Sequence, residues 1–391
     1  MKIGVLGLKG MPSKYGADRV AEAVVRRLAG RHEFTVYCDS LHTPPEASIP
    51  GVRLIRLPAF RGKHSRMLCL DLLATMHALA KGDYDLVHVH CAENGFINPL
   101  LWLRYRVVGT VHGQAYTTQK WGIAARFCMR MADLPFSRFS DAVTCVNGLF
   151  QEQYSRIRPA HVIPNGVDLD PPVALDQADR LLHTHGLSGQ PFLMFAAGRI
   201  VPFKGCHLLL EAFRTIKSGI SLVVVGDLDQ VPKYRRQVQE LADHRVRFIP
   251  FVSSPAELLG LVKRAQLFVF PSTNKFGTEG MSMMLLEAAS VGAPILCSDI
   301  SQNTAVLGDA GYYFASDDVA DLRVKLECAI AHSAEMSQAA CRVQELVRSQ
   351  FSWDSIAARY ERLYQAVLAT PRGQTAQPRD ARGILRPPCR S

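Results

Sequence analysis

Apolar positions along this chain fall into two alternating patterns. Short continuous runs such as KIGVLGL (2–8), FTVYCDS (34–40), GVRLIRLP (51–58), YDLVHVHC (84–91), RVVGTVHG (106–113), DAVTCVN (141–147) and AHVIPNG (160–166) have the length and β-branched content of buried strands. Between them stand stretches with helical spacing, among them ADRVAEAVVRRLAG (17–30) and MLCLDLLATMHALAK (67–81). Strands that alternate with helices predict a parallel sheet covered on both faces. The stretch 169–191 is Pro-rich and reads as a linker. The alternation then restarts, with strands at PFLMFAAGR (191–199), ISLVVVGD (220–227), RVRFIPF (245–251), QLFVFPS (266–272) and APILCSD (293–299). Helical runs separate them, and further helices follow from about 318 to 369. The pattern predicts two Rossmann-like parallel-sheet domains at 1–170 and 191–350, a linker at 171–190, a last helix at 351–370, and a basic disordered tail at 371–391. Sites in such sheets lie beyond the carboxyl ends of the strands, so the expected site is the cleft where the two domains face each other.

Composition narrows the classes. The 391 residues are 48% hydrophobic and 20% charged, as in a globular chain. No apolar stretch approaches the ~20 residues that span a bilayer, and the start, MKIGVLGLKGMPSKYG, reads as a first strand and loop rather than a signal peptide. Ten cysteines without C-x-x-C spacing fit reduced thiols in the cytoplasm. Residues 1–170 carry 21 Lys/Arg against 14 Asp/Glu, and residues 371–391 carry 5 against 1, so most of the net charge of +10 lies in the first half and the tail. Phosphates, anionic lipid headgroups and nucleic acid are the partners such charge attracts. Nucleic acid is the least supported, because no aromatic–basic interleaving or zinc module is present. Basic side chains such as Arg61, Lys63 and Arg66 either favour an anionic membrane face, without insertion, or form ordinary solvated surface.

Several residue groups carry chemistry. Glu279 and Glu287, in EGMSMMLLE, stand eight positions apart, one in a Gly/Thr-rich loop and one inside an apolar helical run. Each carboxylate can accept two hydrogen bonds from vicinal hydroxyls, so the pair suits a ligand with two sugars; a cap Glu plus a surface helical Glu is the plainer alternative. Arg199 and Lys204, in GRIVPFKG, place two cations at a strand-to-helix junction, where a diphosphate is the natural partner. The loop GLKGMPSKYGADR offers Gly7, Gly10 and Gly16 before a helix start, a place where backbone can approach a phosphate. It lacks G-x-G-x-x-G, because Lys9 replaces the second glycine, but Asp39 ends the second strand where a ribose-binding acid would sit, so a dehydrogenase stays open on this segment. His112 follows the strand RVVGTV and can meet phosphate or sugar. His88 and His90 share a strand face and fit a structural role better than a metal site. Asp227 and Asp229, in GDLD, are a weak candidate for a divalent metal.

Taken together, these motifs resemble the retaining family 4 glycosyltransferases of the GT-B fold, from the glycine loop through TVHG, IPNGVD (163–168), GR-x-x-P-x-KG, VVVGD (223–227) and the E-x7-E pair to a closing FSW helix. The resemblance implies an α/β GT-B architecture, in which the last helix at 351–370 crosses back to the first domain, and it implies residue roles. Arg199 and Lys204 would hold the diphosphate of a nucleoside-diphosphate sugar, Glu279 the sugar hydroxyls and Glu287 the ribose. Asp227, together with backbone near Gly16 and at Gly280, Met281 and Ser282, would lie on the donor side. His112 would line the acceptor and the transferred sugar. Asn165 and Gly166 would sit near the hinge and, with Lys120, on the acceptor side. The family retains the anomeric configuration and needs neither cofactor nor metal.

Within it, MPSKYG and YTTQKWG (116–122) resemble the bacterial rhamnosyltransferase-type branch that builds capsule, O-antigen or exopolysaccharide. The chain departs from that branch at Ala17-Asp18-Arg19, where Gly-Phe-Glu is usual, and at Gln114-Ala115-Tyr116, where Asp-Trp is usual. The expected activity is sugar transfer from a nucleoside-diphosphate sugar to an oligosaccharide or lipid-diphosphate-linked acceptor, in the cytoplasm or at the inner face of the membrane. A non-catalytic sugar-nucleotide-binding protein and a sugar-nucleotide epimerase of the same fold are the alternatives.

Overall fold

The structure is a computed structural model that describes residues 1–13, 16–58, 66–90, 92–117 and 121–372. It divides into unit 1, Met1–Gly166 with Trp353–Ser391, and unit 2, Val167–Ser352.

Unit 1 is built on β1 (Lys2–Leu6), β2 (Glu33–Asp39), β3 (Val52–Leu57), β4 (Leu86–Val89), β5 (Arg106–Val111), β6 (Ala142–Cys145) and β7 (Ala160–Val162). These pair in the order β3-β2-β1-β4-β5-β6-β7, every pair parallel. The helices of this half are α1 (Gly16–Leu28), α2 (Arg66–Lys81), a 3-10 turn at Ala92–Ile97 that leads into α3 (Asn98–Trp102), α4 (Ile123–Arg138) and α5 (Gly148–Ser155).

Unit 2 opens with α6 (Leu175–Thr184), then β8 (Phe192–Arg199), α7 (Cys206–Arg214), β9 (Ser221–Asp227), α8 (Pro232–Leu241), β10 (Val246–Ile249), α9 (Pro255–Arg264) and β11 (Leu267–Phe270). It continues with α10 (Met283–Ser290), β12 (Ile295–Ser298), α11 (Ser301–Leu307), β13 (Tyr312–Phe314), α12 (Val319–Ala331) and α13 (Ser333–Gln350). The six strands pair in the order β10-β9-β8-β11-β12-β13, again all parallel.

The inner strands of both sheets are buried on both faces, which explains their Val/Ile/Leu/Phe runs, whereas the edge strands β3 and β10 are only partly buried. The last helix, α14 (Trp353–Ala369), belongs to unit 1. It packs along α1 and buries Ile356, Tyr360, Leu363, Tyr364 and Val367. Ion pairs at the edge of this contact join Arg27 to Asp354 at 2.9 Å and Arg31 to Glu361 at 2.7 Å, and His32 Nε2 is hydrogen-bonded to Glu361 at 2.7 Å. Gly166, where the chain leaves unit 1, is fixed by Trp353: a Cβ there would lie 2.5 Å from the indole.

The stretch expected as a linker differs from expectation. Residues 175–184 form α6, with Ala178 and Leu182 buried against α9. Arg264 of α9 pairs with Asp179 at 2.5 Å. Pro171-Pro172 before it and Gly186 and Gly189 after it carry the loop signal, and they mask a short amphipathic helix between.

Candidate active site

In a doubly wound sheet, ligands bind where the strand order reverses, outside the carboxyl ends of the strands. In unit 2 that point lies between β8 and β11. Two loops leave it. The first follows β8 through a 3-10 turn, Pro202–Lys204, to α7. The second follows β11 through Pro271–Glu279 to α10. They are locked together by backbone: the Thr273 amide donates to the Phe203 carbonyl at 2.8 Å. Gly205 makes this possible. It has φ +72°, and a Cβ on it would lie 1.8 Å from the Pro271 carbonyl oxygen, so no other residue fits without displacing the loop.

The junction brings Lys204 to Glu279, 75 positions apart in sequence. The ammonium donates to a Glu279 carboxylate oxygen at 2.6 Å, and Ser272 Oγ donates to the same oxygen at 3.2 Å. Glu279 is only 6% exposed, and Lys204 lies between the Phe203 and Phe270 rings, 5.4 Å from each centroid. A buried carboxylate needs such a partner, since desolvation costs an isolated charge several kcal/mol. The surrounding loop is braced from α11 and from the end of β12: Gln302 Nε2 donates to the Glu279 carbonyl at 3.2 Å, and Ser298 Oγ to the Ser272 carbonyl at 2.5 Å.

The other expected donor residues sit around this pair. Arg199 ends β8, exposed, and its guanidinium has no hydrogen bond or ion pair among the described residues. Gly280, Met281 and Ser282 lead into α10, with Ser282 as its N-cap residue, and Glu287 lies half-buried on that helix. Asp227 ends β9 beside Arg199, but its carboxylate is engaged in its own turn, accepting from the Asp229 amide at 2.8 Å and Gln230 Nε2 at 2.6 Å. Asp229 pairs with Arg235 at 2.5 Å.

In unit 1 the order reverses between β1 and β4. Gly16 begins α1 with open space around it. The glycine loop before it is held by the chain's own acids: the Lys9 amide donates to Asp18 at 3.3 Å and the Ser13 amide to Glu22 at 2.6 Å. Burial pushes the Asp18 carboxyl up to about 6, and burial likewise pushes Asp71 of α2 to about 7. Asp39, the possible ribose acid, is already bound, with the Leu41 amide at 2.8 Å and Arg66 Nε at 2.6 Å. Arg66 is therefore an ion-pair partner rather than a lone surface cation.

His112, at the end of β5, stacks on His90 with Nε2 2.9 Å from His90 Nδ1. Its Nδ1 is buried and has no hydrogen-bond partner among the described residues. Burial lowers His112 to about 4 and His88 to about 3, so both imidazoles are neutral at physiological pH. His88 contacts the Tyr364 hydroxyl at 2.8 Å and Thr110 Oγ1 at 2.7 Å, which occupies both ring nitrogens and makes it structural.

The departing Gln114-Ala115-Tyr116 segment is pinned in place. Gln114 bonds Gln153 at 2.7 Å, the Ala115 amide bonds Glu93 at 3.1 Å, and the Tyr116 hydroxyl donates to Asp133 at 2.8 Å. Beside it lies an open cavity of about 460 Å³ whose lining includes Gln114, Tyr116, Arg130, Gln153 and Arg156. Lys120, Arg61, Lys63, Lys14, Tyr15 and the tail from 373 lie outside the described residues. Asn165 is buried at the end of unit 1, next to Gly166.

Sequence reasoning missed Ser272 and Gln302. Both follow ordinary strand and loop runs, and only the fold brings them to Glu279. The position of Ser272 one residue past the strand-end proline is a signal that could have been used.

Two parallel-sheet α/β units with an Arg/Lys/Glu site at the second switch point are the architecture of a GT-B glycosyltransferase. Residues 15–171 match the family model Glycosyltransferase Family 4, and residues 191–332 match Glycosyl transferases group 1. Together the two models span most of the chain, which places it among the glycosyltransferases, with a family 4 first half and a group 1 second half. It is 27% identical over 373 residues to a D-inositol 3-phosphate glycosyltransferase of Xylanimonas cellulosilytica, covering 87% of this chain and 88% of the relative. It is 24% identical over 324 residues to the UDP-Gal:alpha-D-GlcNAc-diphosphoundecaprenol alpha-1,3-galactosyltransferase of Escherichia coli, covering 78% and 82%. Among solved structures it resembles sucrose-phosphate synthase of Thermosynechococcus elongatus, with TM-score 0.77, 21% identity and coverage of 94% and 99%, a likeness of fold.

Proposed function

We propose that this chain transfers a sugar from a nucleoside-diphosphate sugar to a lipid-diphosphate-linked oligosaccharide in surface polysaccharide or glycolipid synthesis, with retention of configuration and without a metal ion. One observation carries the reading: Lys204, Ser272 and Glu279 meet at the switch point of unit 2, with Arg199 exposed at the same strand end. The relatives whose names specify nucleotide-sugar donors and lipid-diphosphate acceptors support the substrate classes. The rhamnosyltransferase-type branch is the finer proposal for the transferred sugar.

In this reading the donor diphosphate takes Lys204 away from Glu279 and engages Arg199 as well. The freed Glu279 carboxylate accepts hydrogen bonds from hydroxyls of the sugar, and Glu287 accepts from the ribose. As the bond from the anomeric carbon to the phosphate oxygen breaks, negative charge grows on the leaving phosphate, and two fixed cations stabilise it more than they stabilise the bound donor. The acceptor hydroxyl forms the new bond on the same face, and its proton passes to the departing phosphate. Unit 1 supplies the acceptor side: His112, Asn165, Gly166 and Lys120, with neutral His112 able to hydrogen-bond a hydroxyl without carrying charge.

A thermal-shift panel tests this. Dinucleotides NAD(H) and NADP(H), and the dTDP, UDP and GDP families of nucleoside diphosphates and their sugars, are each added with and without EDTA. A ligand that binds only the folded state raises the melting temperature. One nucleoside-diphosphate family is expected to raise it, equally in EDTA. A shift with the dinucleotides alone overturns the reading, and a nucleotide shift abolished by EDTA overturns its metal independence.

A further inference from the structure

A helix on a soluble sheet normally turns one apolar stripe inward and a polar face to water. Two helices of unit 1 are apolar on both sides. On α2, Leu70, Ala74 and Ala78 are buried, yet Leu68, Leu72 and Met76 repeat every fourth position on the outside, with Met76 59% exposed. On α4, Ala132 and Phe136 are buried, yet Ile123, Phe127, Met131 and Leu134 form an outer stripe, with Ile123 87% exposed. Between these helices, the 3-10 turn and α3 add Phe96, Leu100 and the following Leu103, all exposed.

The three helices are neighbours. Their crossovers from β3 to β4, β4 to β5 and β5 to β6 all step in one direction across the sheet, and right-handed connections then place them on one face. The 3-10 turn and α3 pack against both α2 and α4. Ten of the fifteen exposed large hydrophobic side chains among the described residues therefore fall on one face of one unit. Such clustering marks an interaction surface rather than scattered exposure.

The charges on this face name the occupant. On α4, Arg126, Arg130 and Arg138 are exposed and flank the apolar stripe. The acids of α2 and α4, Asp71 and Asp133, are buried. Glu93 of the 3-10 turn is half-buried and accepts from the Ala115 amide. Two copies joined through this face about a two-fold axis would bring arginine against arginine with no exposed acid of these helices to meet it, which opposes self-association. A lipid surface satisfies both patterns: the stripe enters the acyl boundary while arginines reach up to anionic headgroups.

We propose that the outer face of α2, α3 and α4 is a docking surface for an anionic lipid bilayer, held at the interface without a spanning segment; no helix among the described residues is long and apolar enough to cross one. The inference extends the proposed reading by giving a lipid-linked acceptor its place, because Arg130 also lines the cavity beside the Gln114–Tyr116 segment.

The test is flotation of the full chain with vesicles of phosphatidylcholine alone and of phosphatidylcholine mixed with phosphatidylglycerol. Wild type is expected to float with the mixed vesicles and to be released by salt. The double variant Phe127→Asp/Met131→Asp is expected to lose roughly tenfold or more of that binding. Leu72→Asp, on a different helix, is expected to weaken it as well. Both variants keep their melting temperature and nucleotide-induced shift, since these side chains face outward. Wild type that ignores the mixed vesicles, or a double variant that floats like wild type, overturns the proposal. So does a wild-type dimer in sedimentation that the double variant dissolves, which would assign the face to a second copy. If vesicle binding holds but no nucleotide shifts the melting temperature, the transferase reading fails and the docking face stands.

Discussion

In unit 2 the loop after the first central strand brings a cation, Lys204, onto the carboxylate of Glu279; in unit 1 the loop after β1 brings its own amides onto the carboxylates of Asp18 and Glu22. Both loops leave a parallel sheet at the point where the strand order reverses. Their backbone plan is alike, but the groups that meet the acids differ. The unit 2 site offers an ammonium and an exposed guanidinium beside one acid. The unit 1 site offers acids, two of them raised by burial, and imidazoles kept neutral by burial. In unit 2 the donor to the acid is a side-chain cation, with an exposed guanidinium beside it, whereas in unit 1 the acids take up the amides of the glycine loop itself, next to Lys9. Fold alone would make both glycine loops phosphate sites; the proposed division into a donor and an acceptor side rests on the side chains behind them.

The sharpest way to break this comparison is to remove the cation. Lys204→Ala is expected to lower turnover by about 100-fold or more, because the growing charge on the leaving group loses a fixed partner. It also strands Glu279, 6% exposed, without its counter-ion, so a melting-temperature measurement should show destabilisation of about 2–4 kcal/mol. Turnover within a few-fold of wild type would remove unit 2 as the donor site.

Next in size is the glycine that joins the two loops. Gly205→Ala forces a Cβ toward the Pro271 carbonyl at a residue with φ +72°. A cost of about 2–4 kcal/mol follows, read as a lower melting temperature together with weaker nucleotide binding. A stable variant that binds normally would show that the Lys204–Glu279 junction does not depend on this contact.

Much of this arrangement was legible in the sequence. The two sheets followed from strand–helix alternation, and the glycines and cations of GRIVPFKG marked a strand-end loop. The pairing of Lys204 with Glu279 was not legible, because 75 residues separate them and only the adjacency of β8 and β11 brings them together. Ser272, seven residues before Glu279 on the same loop, and Gln302, twenty-three after it, were hidden because the path of the loop, not the residue spacing, turns them onto Glu279. In unit 1 the glycine loop suggested a phosphate, and nothing in its spacing showed that Asp18 and Glu22 fold back to occupy its amides. The helix α6 was concealed by prolines and glycines at its two ends, which punctuate more strongly than ten residues of amphipathic pattern can answer.

The smallest effect sharpens the unit 1 side. Asp18 has a folded-state value of about 6 against 3.8 for the ordinary group. A raised carboxyl destabilises the fold when ionised, fully above about pH 6, and that penalty fades as pH falls toward the unfolded-state value. Asp18→Asn is therefore expected to stabilise the protein by roughly 1–3 kcal/mol at pH 8. Its advantage over wild type should shrink as pH is lowered toward 5, as read from paired melting curves. An advantage independent of pH would mean that the carboxyl does not titrate in that window.

The central claim is that Lys204 holds the diphosphate while Glu279 reads the sugar. Calorimetric titration of the nucleoside diphosphate found in the thermal-shift panel into wild type, Lys204→Ala and Glu279→Ala tests it most directly. The account predicts that Lys204→Ala weakens binding by about 10-fold or more, whereas Glu279→Ala, which leaves Lys204 unclaimed, binds the nucleotide as well as wild type or better and yet does not turn over the nucleotide sugar. Unchanged affinity in Lys204→Ala, or turnover retained in Glu279→Ala, would contradict it.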